Sequence, residues 1–382
     1  MQSIIAYYTT KFGELWEKSL FDLVNESVIG VLNAAKLDKK QIDVIFFGNM
    51  LAGTLENNLH LNAKIAEILG VNIPIFRIES ACASGGMAFH LAKQYLESNK
   101  AKTALIIGAE KMTDFSPEQV VSGLAAAASG EEQEVGLTFP GLYAMMANVY
   151  LQKNKYTEKN LAAISVKNHY HGVLNDKAHF QRRTTITAVL DSAYVATPLK
   201  VLDSSPISDG ASALIISTDK QLINKSKSVK VLSTEVATDS ISLKKRKYFD
   251  AIEATQIAAS KAFKSAQLKP NNINVAELHD CFSIAEIIAM EDIGFWKRGS
   301  GGKQALTMST QYGNDGDLIV NTSGGLKAAG HPVGATGVKQ IGEIYLQLTG
   351  QAKNRQVKNC KYGLAQNVGG SGGSAVVTIL GI

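Results

Sequence analysis

One short segment occurs twice in this chain. Leu37-Asp-Lys-Lys-Gln-Ile42-Asp-Val44 reads against Leu268-Lys-Pro-Asn-Asn-Ile273-Asn-Val275 at an offset of 268 − 37 = 231, which the Ile and Val positions share. A second echo pairs Ala83-Ser84-Gly85 with Ala335-Thr336-Gly337, and each triplet opens a helix-type stretch. Self-similarity of this kind points to a duplicated supersecondary unit. It predicts two halves, residues 1–220 and 228–382, joined by the polar linker Asn224-Lys-Ser-Lys-Ser228. A length of 382 residues suits two similar halves around a shared core.

Within the halves, glycine-punctuated apolar runs alternate with helix-type segments. Ile42–Phe47, Thr103–Gly108, Ala211–Ser217 and Ala375–Leu380 are near-continuous apolar stretches of buried-strand type. Leu20–Lys36, Gly85–Ser98, Asp250–Gln267, Ser283–Ile293 and Gly337–Leu348 are helical in pattern. Alternation of the two predicts α/β layers with both sheet faces covered. The first half carries an extra polar stretch, about 115–195, expected to cap the strand ends where sites of layered α/β folds lie.

Composition excludes several classes. Hydrophobic residues are 45% and charged residues 19%, as in a packed globular protein. A net charge of +5 implies no nucleic-acid footprint. Cys82, Cys281 and Cys360 are odd in number and far apart, so neither a disulfide framework nor a zinc site is expected. No run reaches the roughly 18 apolar residues of a membrane span, and the N-terminus lacks signal-peptide character. These features set an expectation of a cytoplasmic protein.

Four motifs carry chemistry. In Glu79-Ser-Ala-Cys82-Ala-Ser-Gly-Gly86 a cysteine precedes a small-residue helix start, where the dipole and free N–H groups are expected to favour thiolate. In Gly330-His331-Pro-Val-Gly-Ala-Thr-Gly337 an imidazole is held between Gly and Pro, suited to a general base or oxyanion donor. In His279-Asp-Cys281-Phe282, residues two apart after a strand face one side, so His279 and Cys281 are expected in one pocket. Gly363–Gly373 is a glycine-rich loop before the last strand. His169, His171 and His179 read as surface or ligand-contact residues, and Lys244–Lys247 as a solvated loop.

Taken in order, these motifs resemble the thiolase family over nearly the whole chain. The usual Asn-Glu-Ala-Phe is replaced here by His279-Asp-Cys-Phe282, and the usual second cysteine of Cys-x-Gly-Gly-Gly by Asn367. Both departures occur together in the sterol-carrier-protein type and in archaeal acetoacetyl-CoA thiolases. The resemblance implies a thiolase fold, two pseudo-symmetric α/β halves in layers αβαβα. It implies an acyl-CoA C-acyltransferase that condenses acetyl-CoA to acetoacetyl-CoA or cleaves 3-ketoacyl-CoA. Cys82 would be the acyl-carrying nucleophile, His331 its base, Cys281 the second thiol and His279 a donor to the enolate. Gly369 would complete the oxyanion hole with the Cys82 N–H, and Ser205 in Asp203–Ala211 would line the CoA tunnel. No metal or redox cofactor is implied; CoA thioesters are the substrates. A homodimer or homotetramer and a complex with a downstream CoA synthase follow from the same resemblance. Alternatives are a long-chain 3-ketoacyl-CoA thiolase, a ketoacyl-synthase-like enzyme acting on malonyl thioesters, and a weakly active thiolase-like partner protein. For acyl length, Met87, Phe139, Leu142, Tyr143, Met145 and Met146 are the bulky candidates to close the pocket.

Overall fold

The computed structural model describes residues 2–314 and 316–382. The first half supplies strands β1 Ser3–Thr9, β2 Val44–Gly48, β3 Ile75–Ile78 and β4 Thr103–Glu110, a small hairpin β5 Tyr194–Ala196 and β6 Leu199–Lys200, and β7 Gly210–Ser217. The second supplies β8 Val229–Thr238, β9 Val275–Glu277, β10 Ile319–Val320, β11 Tyr362–Gly369 and β12 Ser374–Gly381. The helices that build the layers are α1 Leu20–Ala35 and, after α2 Leu61–Leu69, α3 Ser84–Glu97. The cap follows as α4 Pro117–Ala125, α5 Gly130–Glu134, α6 Phe139–Asn154, α7 Glu158–Val173 and α8 Ile186–Asp191. Helix α9 Lys220–Lys225 leads into the second half, which holds α10 Glu253–Ala266, α11 Ser283–Asp292, α12 Gly301–Thr307 and α13 Val333–Leu348. Asn224 and Lys225 thus close a helix rather than belong to a linker.

Strand order across the main sheet is β10-β9-β11-β12-β8-β1-β7-β4-β2-β3. Read outward from the centre, the halves are β1-β7-β4-β2-β3 and β8-β12-β11-β9-β10. In both, the two inner pairings are antiparallel and the outer pairings are parallel. The repeated segments enter β2 and β9 through matching 3-10 turns, Lys39–Gln41 and Pro270–Asn272. The two five-stranded halves join edge to edge, because β1 and β8 pair antiparallel over Ser3↔Lys230 and Ile4↔Val229. Two edge strands thereby satisfy each other's backbone groups.

The layering follows from period-two alternation. Ile45, Phe47, Leu105, Ile107, Ala213 and Ile215 face outward into a core with α1. Val44, Phe46, Ala104, Ile106, Leu214 and Ile216 face inward and share one core with Val275, Ala365 and Leu380 of the other half. Helices α3 and α13 fill that shared layer, and α10 covers the outer face of β8 and β12. The two central helices approach so closely that a Cβ at Gly337 would stand 2.2 Å from the Gly86 nitrogen. Loops at the N-terminal ends of α3 and α13 are therefore held face to face.

Candidate active site

Cys82 lies in the turn between β3 and α3. Ala81 takes φ +48, a strained setting for a residue with a Cβ. The turn is held by the Glu79 carboxylate, which accepts from the Ala81 N–H at 2.6 Å, and by Ser84 Oγ, which accepts from the Ser80 N–H at 2.9 Å. The lowering expected from the helix start is outweighed by burial. Burial pushes the Cys82 thiol up to about 12, against the lowering effect of the Gly370 and Cys82 N–H groups. The helix donors that were to stabilise a thiolate are used elsewhere. The Ser84 N–H goes to the Ala81 carbonyl and the Gly86 N–H to Asn367 Oδ1.

His331 stands at the start of α13, with Gly330 at φ +102 before it. Its Nδ1 is 2.7 Å from Thr336 Oγ1, and that hydroxyl donates to the Pro332 carbonyl at 2.9 Å. Thr336 Oγ1 therefore accepts, Nδ1 carries the proton, and Nε2 presents a lone pair. Burial, with a smaller contribution from Lys339, lowers the imidazole to about 3, so it is neutral at rest.

The His279-Asp-Cys281 segment follows β9. It is not extended: the Asp280 N–H closes a tight turn onto the Leu278 carbonyl at 3.1 Å. Asp280 is the anchor, accepting from the Leu326 N–H at 2.6 Å, the Lys327 N–H at 3.2 Å and Asn168 Nδ2 at 2.7 Å. Both flanking side chains still converge on Cys82. The His279 and His331 rings meet edge to face, centroids 5.1 Å apart. Cys82 Sγ and one nitrogen from each ring lie within 4.8 Å of one another. His279 Nδ1 is 3.3 Å from Asn367 Nδ2, a donor, which leaves Nε2 as the N–H; among the described residues it has no partner. A ring that presents N–H rather than a lone pair is a poor metal ligand. Burial, then His331, holds His279 well below the ordinary histidine range.

A cavity of about 220 Å³ opens on this group, lined by Cys82, Cys281, His331, Ser205 and Gly370, with Phe139, Tyr143 and Phe282 among its apolar walls. Ser205 is tied to the second thiol's loop, its N–H donating to the Cys281 carbonyl at 2.9 Å. Burial raises the Cys281 thiol strongly, partly offset by a hydrogen bond with Tyr143. Gly369 does not line this cavity. It pairs with Ser374 at the β11–β12 turn and borders a neighbouring groove, and Gly370 brings its N–H to the Cys82 sulfur. Of the expected pocket-closing residues, Phe139 and Tyr143 reach the cavity, whereas Leu142 and Met146 are buried in the core beneath α6.

Other expectations change with burial. His169 and His171 are 1% and 0% exposed, packed inside α7 rather than on the surface. Within the basic run Arg246 is buried and holds the glycine loop, donating to the Ser371 carbonyl at 2.5 Å. Glu110 and Asn367 were missed as site residues. Glu110, at the end of β4, accepts from the Met50, Leu51 and Gly334 N–H groups. The sequence treats Asn367 only as the place of an absent cysteine; a buried polar residue inside a strand is the signal that could have found it.

Comparisons with known proteins agree with this geometry. The family model described as "Thiolase, N-terminal domain" matches residues 3–220, and "Thiolase C-terminal domain-like" matches residues 235–382. The acetyl-CoA acetyltransferase of Methanocaldococcus jannaschii is 42% identical, covering 99% of this chain and 98% of its own. That of Methanothermobacter thermautotrophicus is 41% identical with the same coverage. Sterol carrier protein 2 of Bos taurus is 34% identical over 80% of this chain and 59% of its own. In fold, the human mitochondrial 3-ketoacyl-CoA thiolase matches at TM-score 0.75 and 18% identity, covering 100% of this chain and 98% of its own. An Ltp2–ChsH2(DUF35) aldolase matches at TM-score 0.85 and 19% identity, covering 100% and 97%. With both of its halves matched and two full-length relatives above 40% identity, the chain belongs to the thiolase family.

Proposed function

We propose that this protein is an acetyl-CoA C-acetyltransferase that works through an acetyl group on Cys82, in the direction of acetoacetyl-CoA synthesis or its reverse, thiolysis. The observation that carries this reading is the convergence of Cys82 with two imidazoles, beside a second thiol on one cavity. His331 Nε2 takes the Cys82 proton as the sulfur attacks the thioester carbonyl. The oxyanion accepts from backbone N–H groups beside Cys82, with Gly370 rather than Gly369 as the second donor. Coenzyme A departs as thiolate and leaves acetyl-Cys82.

With both thiols raised by burial, a base for the second step must be made in the site. The departing CoA thiolate takes the proton of Cys281 and leaves as thiol. The Cys281 thiolate then removes the α-proton of the next acetyl-CoA. Protonated His331 and the Nε2–H of His279 donate to the enolate oxygen. The carbanion attacks the acetyl-Cys82 carbonyl, and the expelled Cys82 sulfur recovers its proton from His331. Every proton is accounted for and no redox group is required. A role on acyl-CoA and CoA rests on the relatives' names. Assembly as a homo-oligomer, work in the cytoplasm and a complex with a downstream CoA synthase are extensions from the family resemblance. Among the described residues no helix is long and apolar enough to cross a membrane.

The test is incubation with acetyl-CoA followed by peptide mass spectrometry. One acetyl group is expected on Cys82. Acetyl found only on Cys281 or Cys360 would overturn the assignment.

A further inference from the structure

The amide of Asn367 makes three contacts, and together they leave it a single orientation. The Gly86 N–H, in the first turn of α3, donates to Oδ1 at 3.1 Å. Nδ2 donates to the Cys82 carbonyl at 3.0 Å and lies 3.3 Å from His279 Nδ1. With Oδ1 committed to an N–H, the other end must be NH₂, and a ring nitrogen facing NH₂ must be an acceptor. The residue is 3% exposed, so water does not compete for these contacts.

Clamping the start of a central helix does not itself require an amide. In the first half the corresponding job falls to a carboxylate. Strand pairing aligns Ala104 with Val44 and Gly363 with Val275, so β4 and β11 correspond at an offset of 363 − 104 = 259. Asn367 then corresponds to Gly108, and Glu110, two residues on along the same face, accepts from the Gly334 N–H in the first turn of α13 at 3.0 Å. What an amide adds over a carboxylate is a donor, and that donor is aimed at His279.

We propose that Asn367 is a positioning residue that fixes His279 in its Nε2–H tautomer, so that one imidazole of the site is a permanent donor and the other, His331, a base. This rests on the two-step reading above. Without Asn367 the His279 ring has no group to choose its tautomer, since its Nε2 has no partner among the described residues. The ring would then present a lone pair to the enolate oxygen for part of the time. A carboxylate at this position would draw a proton onto Nδ1 and charge the ring.

The experiment uses the full-length protein labelled with ¹⁵N-histidine, one of seven, assigned by comparison with His279→Gln. Long-range ¹H–¹⁵N spectra report which ring nitrogen carries hydrogen. The native enzyme is expected to show Nε2–H for His279 and Nδ1–H for His331. Asn367→Asp is expected to give a doubly protonated His279 that titrates at higher pH. In Asn367→Ala, condensation is expected to fall tenfold or more while single-turnover loading of Cys82 falls less than threefold. An Nδ1–H tautomer for His279 in the native enzyme would overturn the proposal even if the variants fail to fold. Equal loss of loading and condensation would also overturn it, because a purely structural clamp moves both together. If native Cys82 does not load at all, the two-step reading fails, and the native spectrum still decides the tautomer.

Discussion

The two halves share strand order, strand direction and helix placement, yet they divide the work unequally. The loop after β2, Gly48-Asn49-Met50, is the repeat counterpart of His279-Asp280-Cys281 at the offset of 231. The first loop carries no reactive group and is gripped by the buried Glu110. The second carries an imidazole and a thiol on either side of a gripped aspartate. The caps differ as well. Between β4 and β7 lie 210 − 110 − 1 = 99 residues, and between β11 and β12 only 374 − 369 − 1 = 4. On the proposed reading, one half supplies the nucleophile and the wall of the cavity, and the other supplies proton transfer. The two scaffolds therefore carry different loop chemistry on one strand order.

The largest effect that would test this division is at the counterpart pair Cys281 and Met50. Cys281→Ala is expected to lose about 10²–10⁴ in condensation rate, the usual cost of a missing general base, while still loading acetyl on Cys82. Met50→Leu conserves volume, and condensation is expected to stay within a few fold. Steady-state assays alongside mass-spectrometric loading measure both. Condensation at the native rate in Cys281→Ala would break the comparison.

The imidazoles come next. His331→Ala is expected to slow loading and condensation alike, by about 10² or more, whereas His279→Ala should spare loading and slow condensation. The pH dependence sharpens this. Burial lowers the His331 imidazole to about 3, so its base form is still present at pH 5. Single-turnover loading should therefore show no acid limb near the ordinary histidine value of about 6.5. An inflection there that disappears in His331→Ala would show that the resting imidazole is not buried as described.

On the silent side of the comparison, substitutions should cost stability instead of chemistry. A Cβ at Gly48 would stand 2.9 Å from the Ser84 and Gly85 backbone, which cannot move without displacing the nucleophile helix. Gly48→Ala is expected to cost about 1–3 kcal/mol, as overpacking does, read as a lower denaturant midpoint with unchanged slope. Unaltered stability would mean that the central layer has slack.

How much of this could be read beforehand varies with the range of the signal. Strands β2, β4, β7 and β12 and helices α1, α3, α10, α11 and α13 were legible within a few residues, because their patterns are local, whereas β11 read as part of a glycine loop and β8 was not singled out. Cys82, Cys281, His279 and His331 stood out as reactive types in glycine-rich or strand-end settings, and the fold brings all four to one place. What could not be read was set by burial and by partners distant in sequence. The Cys82 thiol is raised first by burial, and the α3 N–H donors that could lower it are used elsewhere, one of them on a residue 281 positions away. Of the hidden histidines of α7, His171 meets the Asn321 carbonyl and the Tyr312 N–H and His169 meets the Arg182 carbonyl and the Phe180 ring, partners that sequence spacing does not reveal. That the Gly370 N–H lies beside the Cys82 sulfur is a one-residue matter of turn geometry in a run of glycines, where no side chain marks the direction.

The smallest expected effect concerns the cap, which only the first half possesses. The cavity beyond Cys82 is about 220 Å³ and is bounded on the cap side by Phe139 and Tyr143. This lies below the 300 Å³ or more typical of ligand pockets. Tyr143 is fixed, its ring tilted against Phe282 with centroids 4.9 Å apart and its hydroxyl donating to the Gly370 carbonyl at 3.1 Å. Phe139, in the first turn of α6, packs at the edge of that core and is the freer wall. Where a pocket admits a methylene, burial contributes about 0.8 kcal/mol, or about fourfold in kcat/KM for each one. A closed wall returns none of this. Thiolysis by the native enzyme is therefore expected to fall from four-carbon to eight-carbon 3-ketoacyl-CoA, and Phe139→Ala is expected to raise the eight-carbon value several-fold with little change for acetoacetyl-CoA. A native preference that rises with chain length would show that the cap opens, and would move its role from excluding long chains to admitting them.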